Sequence, residues 1–506
     1  MKQLFLIFTL FWAFILWAEV RLPDIFSDHA VLQRSSATAV FGNADAGEKI
    51  TVVYGNVHAQ TVAGKDGRFL VKLNLAKAGN DAGELIVSGK NRVVVRDVIV
   101  GEVWFCSGQS NMALRLKETL DGAAEIKKSA NTRIRMFKPV MRTAREPQNT
   151  LQGQWLVASP ATSGEFTAVG YYFAKKLHQN AGLAVGLINP AWGASTIESW
   201  ISDEYLQKSS PAVRKSAAAE LDAYIKHQAK RAADPHLPAA PPCDYKTPGQ
   251  IFNAMVYPLG SFTIKGNLWY QGEGNAGKKG CLYGEHIRAL VSCFRSTFNN
   301  PELRFYAVQL PNFGDKFTDP DFTGTWPIVR IRQTKALKAL PFAGEVIILN
   351  LGESKDIHPI EKKPVGERLA DLALKYDYGK DEVICDYPEA VKAIRSKNRI
   401  RVTFVNCHGG LKAEKLPSTY WVRRNRNHSA ELLPNSPGSQ VEGFTLCGAD
   451  GKWHWADGEI SGNEVIVSSA KVPEPVKVRY AFQNNPNCNL YNGAGLPAGT
   501  FELDVE

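Results

Sequence analysis

A serine set between two amides, at the end of an apolar run, is the first residue placed to do chemistry. The stretch GEVWFCSGQSNM, Gly101 to Met112, begins like a buried strand in Val103, Trp104 and Phe105 and breaks into Ser107, Gly108, Gln109, Ser110 and Asn111. At such a strand-to-helix turn Ser110 is either a helix N-cap or a nucleophile at the carboxyl end of a sheet strand, where α/β proteins build their sites. Asp356 and His358 form a second place, in DIHP just past the apolar run EVIILNLG. Residues two apart in extended chain face the same side, so the carboxylate can hold the imidazole while it takes a proton from serine. The alternative is a hydrogen-bonded surface histidine. Gly193, in NPAWGAS, follows a strand and would let a backbone N–H approach an oxyanion, or it is a plain turn glycine. In WYQGEGNA, Gln271 and Asn275 offer amide donors, and Glu273 between them is a third carboxylate or a structural hydrogen-bonding group. Trp192, Trp269 and Tyr270 beside these loops are faces for a sugar ring or members of the core.

These groups need rigid elements behind them, and the pattern supplies strands alternating with helices. From about Val20 to Val100 the reading is all-β, a small sandwich of TAVFGNA, KITVVYG, RFLVKLNL and ELIVSG with turn residues between. At Gly101 the rhythm changes. Helices are predicted in ALRLKETL, AVGYYFAKKLHQ, TIESWISDEYLQ, Ser209 to Arg231, HIRALVSCFRSTF, IVRIRQTKALKAL and VGERLADLALKY. Strands are predicted in AVGLINP, IKGNLWYQGE, RFYAVQLP and EVIILNLG. This alternation implies a parallel sheet covered on both sides. After about Val383 the chain returns to short strands. The expected division is a leader 1–18, a β segment 19–100, an α/β domain 101–382 and a β segment 383–506.

Composition narrows the class. The 506 residues are 44% hydrophobic and 22% charged, a globular balance in a chain long enough for more than one domain. LFLIFTLFWAFILWA after Lys2 reads as a signal peptide ending at Ala18, with an uncleaved anchor as the alternative. The expected location is therefore periplasmic or extracellular, with no stable membrane insertion once the leader is removed. The net charge of +10 is scattered apart from RRNR at Arg423 to Arg426, which excludes a nucleic-acid footprint and leaves a weak attraction to acidic glycans. The 8 cysteines show no C-x-x-C spacing. No metal and no organic cofactor is expected: H-E-x-x-H and the Walker pattern are missing, as is the G-x-S-x-G elbow.

GEVWFCSGQSNM together with DIHP resembles the SGNH hydrolase superfamily, in particular the sialate O-acetylesterase (carbohydrate acetylesterase) family. The resemblance extends to LPDIFSDHAVLQR, WYQGEGNA and VKVRYAFQNNPNCNLYNGAGLPAGTF, nearly the whole chain beyond the leader. It implies an SGNH-type α/β fold, a parallel sheet sandwiched by helices, with accessory all-β segments. It implies Ser110 as nucleophile, His358 as general base and Asp356 as its partner. The N–H groups of Ser110 and Gly193 would line the oxyanion hole, with Gln271 ahead of Asn275 as the side-chain donor. Two departures stand out: Gly274, where serine or alanine is usual, would loosen the donor loop, and Ala194, where a second glycine is frequent, is expected to be harmless.

The expected activity is a serine esterase removing O-acetyl groups from carbohydrate, with O-acetylated sialic acid the first substrate and acetylated xylan or xylo-oligosaccharides the alternative. The rivals are a non-catalytic glycan-binding protein and a lipase or peptidase using the same triad. The absence of a long apolar lid segment counts against the lipase.

Overall fold

The computed structural model describes residues 19–234, 236, 244–277, 279–315, 319–321, 324–414 and 440–506. The apolar leader, half of the proline-rich connector DPHLPAAPPCDYKTPG with Cys243, and the Arg423–Arg426 cluster lie outside the described residues. Among the described residues no helix is long and apolar enough to cross a membrane.

A single 17-residue strand, Arg92–Gly108, organises the molecule. Its first half pairs antiparallel with Gly83–Ser88 of the amino-terminal β region. Its second half lies between Val185–Ile188 and Gly266–Tyr270, parallel to both. The change of rhythm at Gly101 therefore marks no break in the chain: one strand belongs to both regions. Gly101 itself packs against the neighbouring strand end, where a Cβ would meet the Ala184 carbonyl oxygen at 2.3 Å.

The central path of the sheet runs Ala343–Val346, Arg304–Val308, Gly266–Tyr270, Arg92–Gly108, Val185–Ile188, Asn131–Pro139, Gly153–Ala158. Neighbours are parallel except at the last pair. Strand side chains alternate between faces. Val103, Phe105, Trp269 and Phe305 enter one core cluster, shared with helix Tyr283–Thr297 and helix Thr325–Lys338. Trp104, Cys106, Leu268 and Tyr306 enter another, with helices Ala168–Ala181 and Lys363–Tyr378. The fold is mixed α/β with a mostly parallel sheet, as near-continuous apolar strands require.

The carboxyl-terminal region is a separate 7-stranded antiparallel sheet with its own core, to which Ile347 and Leu349 contribute. That explains a strand shorter than its sequence: EVIILNLG holds sheet pairing only through Val346, because the next residues leave the sheet to pack on the other core. Arg330, fully buried, ties the two regions by donating to the carbonyls of Leu310, Pro311, Gln483 and Asn484 at 2.6–3.0 Å. Two predicted helices are also broken. ALRLKETL gives only the end of Ser110–Ala113 and a 3-10 turn at Leu116–Glu118, where Glu118 reaches back to the Arg115 N–H. TIESWISDEYLQ splits into Ile197–Trp200 and Asp203–Gln207 because the Ser202 hydroxyl caps the second piece.

Glu345, on the edge strand, carries a measurable consequence. Burial pushes its carboxyl up to about 7, against hydrogen bonds from Thr334 and Gln333. A carboxylate whose folded value is raised binds more protons when folded, so stability is lost as pH rises from about 4.5 to 7. Glu345→Gln removes this loss. Relative to the parent, the variant is expected to gain of order 2 kcal/mol between pH 5 and 7.5, read from urea-unfolding midpoints. Parallel pH dependences for the two proteins would overturn this.

Candidate active site

Three neighbouring strands end at one place. Tyr270 sits opposite Gly108 and Ile188 opposite Phe105, so the loops leaving both flanking strands bracket the turn that carries Ser110. The Gln109 N–H bonds the Tyr270 carbonyl at 2.9 Å, and the Trp192 N–H bonds the Gly108 carbonyl at 2.9 Å. Gly108 is required here: its φ is 125°, and a Cβ would lie 2.2 Å from the Tyr270 carbonyl oxygen.

Ser110 begins the short helix but does not cap it. The N-cap is Gln109, which makes no side-chain cap bond. The Ser110 hydroxyl instead lies 2.8 Å from His358 Nε2. The histidine comes from a loop that is itself tied down, by Gly352 N–H to Asn312 Oδ1 and by Ile360 N–H to the buried Glu353, each at 2.8 Å. Asp356 accepts from the His358 backbone N–H at 2.8 Å, while its Oδ1 is 3.4 Å from Nδ1 of the ring. The aspartate thus fixes the turn directly and stands at the longer distance from the imidazole. The His358 side chain is 32% exposed, so the pair is open to solvent.

Gly193 faces the serine: a Cβ built on it would be 3.6 Å from Ser110 Cβ. Gln271 and Asn275 are both buried and bonded to each other, Gln271 Nε2 to Asn275 Oδ1 at 2.8 Å. Gln271 Nε2 also donates to the Ser195 carbonyl at 3.1 Å, and its Oε1 accepts from the Tyr283 hydroxyl. Asn275 Oδ1 accepts from the Ile197 N–H, and Nδ2 donates to Glu198 at 2.9 Å. Glu198 is fully buried near Lys279 and His286.

Two sequence expectations about the loops of the site are corrected. Gly274 does not loosen the donor loop: its N–H is held by Gln109 Oε1 at 3.0 Å, and a Cβ there would lie 2.7 Å from the Ser195 carbonyl oxygen. The close approach of two loops makes glycine the fitting residue. Ala194 is not harmless, because its φ of 59° is left-handed. That conformation costs an L-residue about 1–2 kcal/mol, partly offset by the lower chain entropy of alanine when unfolded. Ala194→Gly is expected to stabilise by about 0.5–1 kcal/mol in denaturant unfolding; an unchanged or lowered midpoint would show that no strain resides there.

Two of the three aromatic platforms are also corrected. Trp269 and Tyr270 are 0% exposed and cannot stack on a sugar; Trp269 packs edge-on against Trp200 in the core. As the last residues of a strand covered on both faces, both side chains point into core. Trp192 is only partly buried and stacks on Tyr245, with ring centroids 5.8 Å apart. Tyr245 was missed, for it lies within the proline-rich connector, which has no pattern of its own. Asn111 and Lys362 were missed too. Asn111 is fully buried, accepts from Lys362 Nζ at 2.6 Å and donates to Glu273 and to the Ile357 carbonyl. Its place beside Ser110 was the available signal.

No cluster of histidine, cysteine and carboxylate side chains that could hold a metal occurs among the described residues. Cys106 lies fully buried on the central strand, four residues before the serine, and burial pushes its thiol far above the usual range, which makes it a poor nucleophile.

The sequence model of a family described as "Carbohydrate esterase, sialic acid-specific acetylesterase" matches residues 100–236 and 245–372. The sialate O-acetylesterase of Rattus norvegicus is 26% identical over 428 residues, 76% of this chain and 79% of that protein. The sialate O-acetylesterase of Homo sapiens is 24% identical over 431 residues, 77% of this chain and 79% of that protein. A crystal structure described as a novel carbohydrate acetylesterase from Xanthomonas citri superposes with a TM-score of 0.80 at 32% identity, covering 96% of this chain and 99% of that one.

Proposed function

The chain belongs to the sialic acid-specific acetylesterase family of carbohydrate esterases and is a carboxylic ester hydrolase; from that premise we propose that it removes O-acetyl groups from carbohydrate by a serine mechanism on an SGNH-type site. The observation that carries this reading is the 2.8 Å contact between Ser110 Oγ and His358 Nε2 at the end of the central strand.

Ser110 Oγ attacks the acetyl carbonyl while His358 Nε2 takes its proton. Negative charge develops on the carbonyl oxygen, where the N–H groups of Ser110 and Gly193 and an amide from the Gln271–Asn275 pair stabilise it. Collapse of the tetrahedral adduct expels the sugar hydroxyl, protonated by the imidazolium. Water, deprotonated by the same imidazole, then hydrolyses the acetyl-enzyme and releases acetate. Asp356 keeps the loop geometry through the His358 N–H and stands near the ring to favour its charged form. The exposed face of Trp192, backed by Tyr245 and adjacent to Gly193, is the platform for the sugar.

O-acetylated sialic acid is the proposed substrate, in keeping with what the rat and human relatives are named for. The test is acetate release from O-acetylated sialic acids set beside acetylated xylo-oligosaccharides. Turnover confined to the xylo-oligosaccharides would replace the substrate, and no turnover of these or of p-nitrophenyl acetate would leave a glycan-binding protein.

A further inference from the structure

The serine, the histidine and the oxyanion groups leave one buried charged cluster beside them unused. Asn111, directly after the serine, is 0% exposed and has both ends of its amide engaged. Its Oδ1 accepts from Lys362 Nζ at 2.6 Å, and its Nδ2 donates to Glu273 Oε1 and, at 3.0 Å, to the carbonyl of Ile357. Ile357 is the residue immediately before His358. Lys362 is 1% exposed, and its ammonium stands 5.1 Å over the Tyr270 ring. Among the described residues, the second carboxylate oxygen of Glu273 is buried with no hydrogen-bond partner.

A buried lysine and a half-buried glutamate bridged by one buried amide make an expensive arrangement for packing alone, since desolvation of such a pair often cancels its attraction. We propose that Lys362, Asn111 and Glu273 form a relay of positioning residues that holds the Ile357–His358 turn over Ser110. The relay rests on the serine-esterase reading of this site and adds residues to it that touch neither substrate nor the reacting atoms.

The electrostatics follow from who faces whom. Burial pushes the Glu273 carboxyl up, while the Asn111 hydrogen bond and the charges of Lys362 and His358 pull it down. Tyr270 and Tyr283 are the other titratable groups around it, and burial pushes both phenols up, so they stay neutral. His358 is faced on its other side by Asp356. Asn111 couples the cluster to the geometry of the base because one amide bonds both the Glu273 carboxylate and the carbonyl of the residue before His358.

The experiment is the pH profile of kcat/KM for p-nitrophenyl acetate on the full chain from pH 5 to 8, for the parent, Glu273→Gln, Asn111→Ala and Ser110→Ala. Glu273→Gln keeps an acceptor for Asn111 and loses only the charge. Its kcat is expected to stay within about threefold of the parent's, because the hold on the turn is kept. Asn111→Ala is expected to lower kcat at least tenfold with KM within about twofold, because it loosens the base and not the substrate. A Glu273→Gln enzyme as impaired in kcat as Asn111→Ala, or an Asn111→Ala enzyme with the parent's kcat, overturns the relay. Ser110→Ala separates the two levels: if it stays active, the reading of the whole site fails.

Discussion

Ser110→Ala is expected to lose on the order of 10³-fold or more in turnover of an acetyl ester and to fold as the parent does. The two halves of the prediction come from the same geometry. The hydroxyl is aimed at His358 Nε2, 2.8 Å away, and takes no part in capping the helix it begins. Removing it therefore deletes the proposed nucleophile without uncovering a helix N–H, and the thermal midpoint is expected to stay within about a degree, as for substitutions that touch no structural feature. Serine, base and orienting group act as a unit, so the residual rate reflects only the oxyanion donors and water. Cys106→Ala is the control. Its thiol is sealed in the core between sheet and helix, and a Cβ on Gly170 would already meet it at 3.1 Å. Shortening that side chain costs stability through a cavity and leaves most of the activity. Near-parental turnover in Ser110→Ala would return the hydroxyl to a surface role, and inactive but stable Cys106→Ala would move the nucleophile.

Sequence pattern reached the strands and the residues at their ends because both obey short-range rules. Trp104 and Phe105 alternate between two cores as period-2 apolar residues must, and the break at Gly108 marks where the chain leaves the sheet. What it could not reach depends on pairs distant in sequence. Trp269 and Tyr270 read equally well as platform or core until helices cover both faces of their strand. Lys362 looks like one more charge before a helix, and only folding brings it 2.6 Å from an asparagine 251 positions away. Ala194 carries no sign in its side chain that its backbone is left-handed. Gly274, taken for slack, turned out to be the point where two loops touch. In each case the deciding quantity is a tertiary distance, to which local periodicity is blind.

The same limit applies to the oxyanion donor, where sequence offered two amides four positions apart. Replacing Gln271 by alanine is expected to lower kcat by about 10²–10³ with little change in KM, and replacing Asn275 to act mainly on stability. The partners of the two amides decide the order. Asn275 Nδ2 is bonded to the buried Glu198 carboxylate at 2.9 Å, and its Oδ1 is held by the Ile197 N–H and by Gln271. A charge-assisted bond of that kind is the stronger sort and is not released for a developing oxyanion, while its loss leaves a buried carboxylate short of a donor, a cost of about 1–3 kcal/mol. Gln271 Nε2 is bonded only to neutral acceptors, the Asn275 amide oxygen and the Ser195 carbonyl. The second of these lies two residues past Gly193, so the amide already stands against the loop that faces Ser110. Exchanging a neutral carbonyl for a full negative charge is favourable, and Tyr283, whose hydroxyl bonds Gln271 Oε1 at 2.8 Å, anchors the side chain while it does so. Steady-state kinetics and urea unfolding of both variants decide the matter. A folded Asn275→Ala enzyme with the larger loss in kcat would transfer the role of donor to Asn275 and leave Gln271 as the residue that orients it.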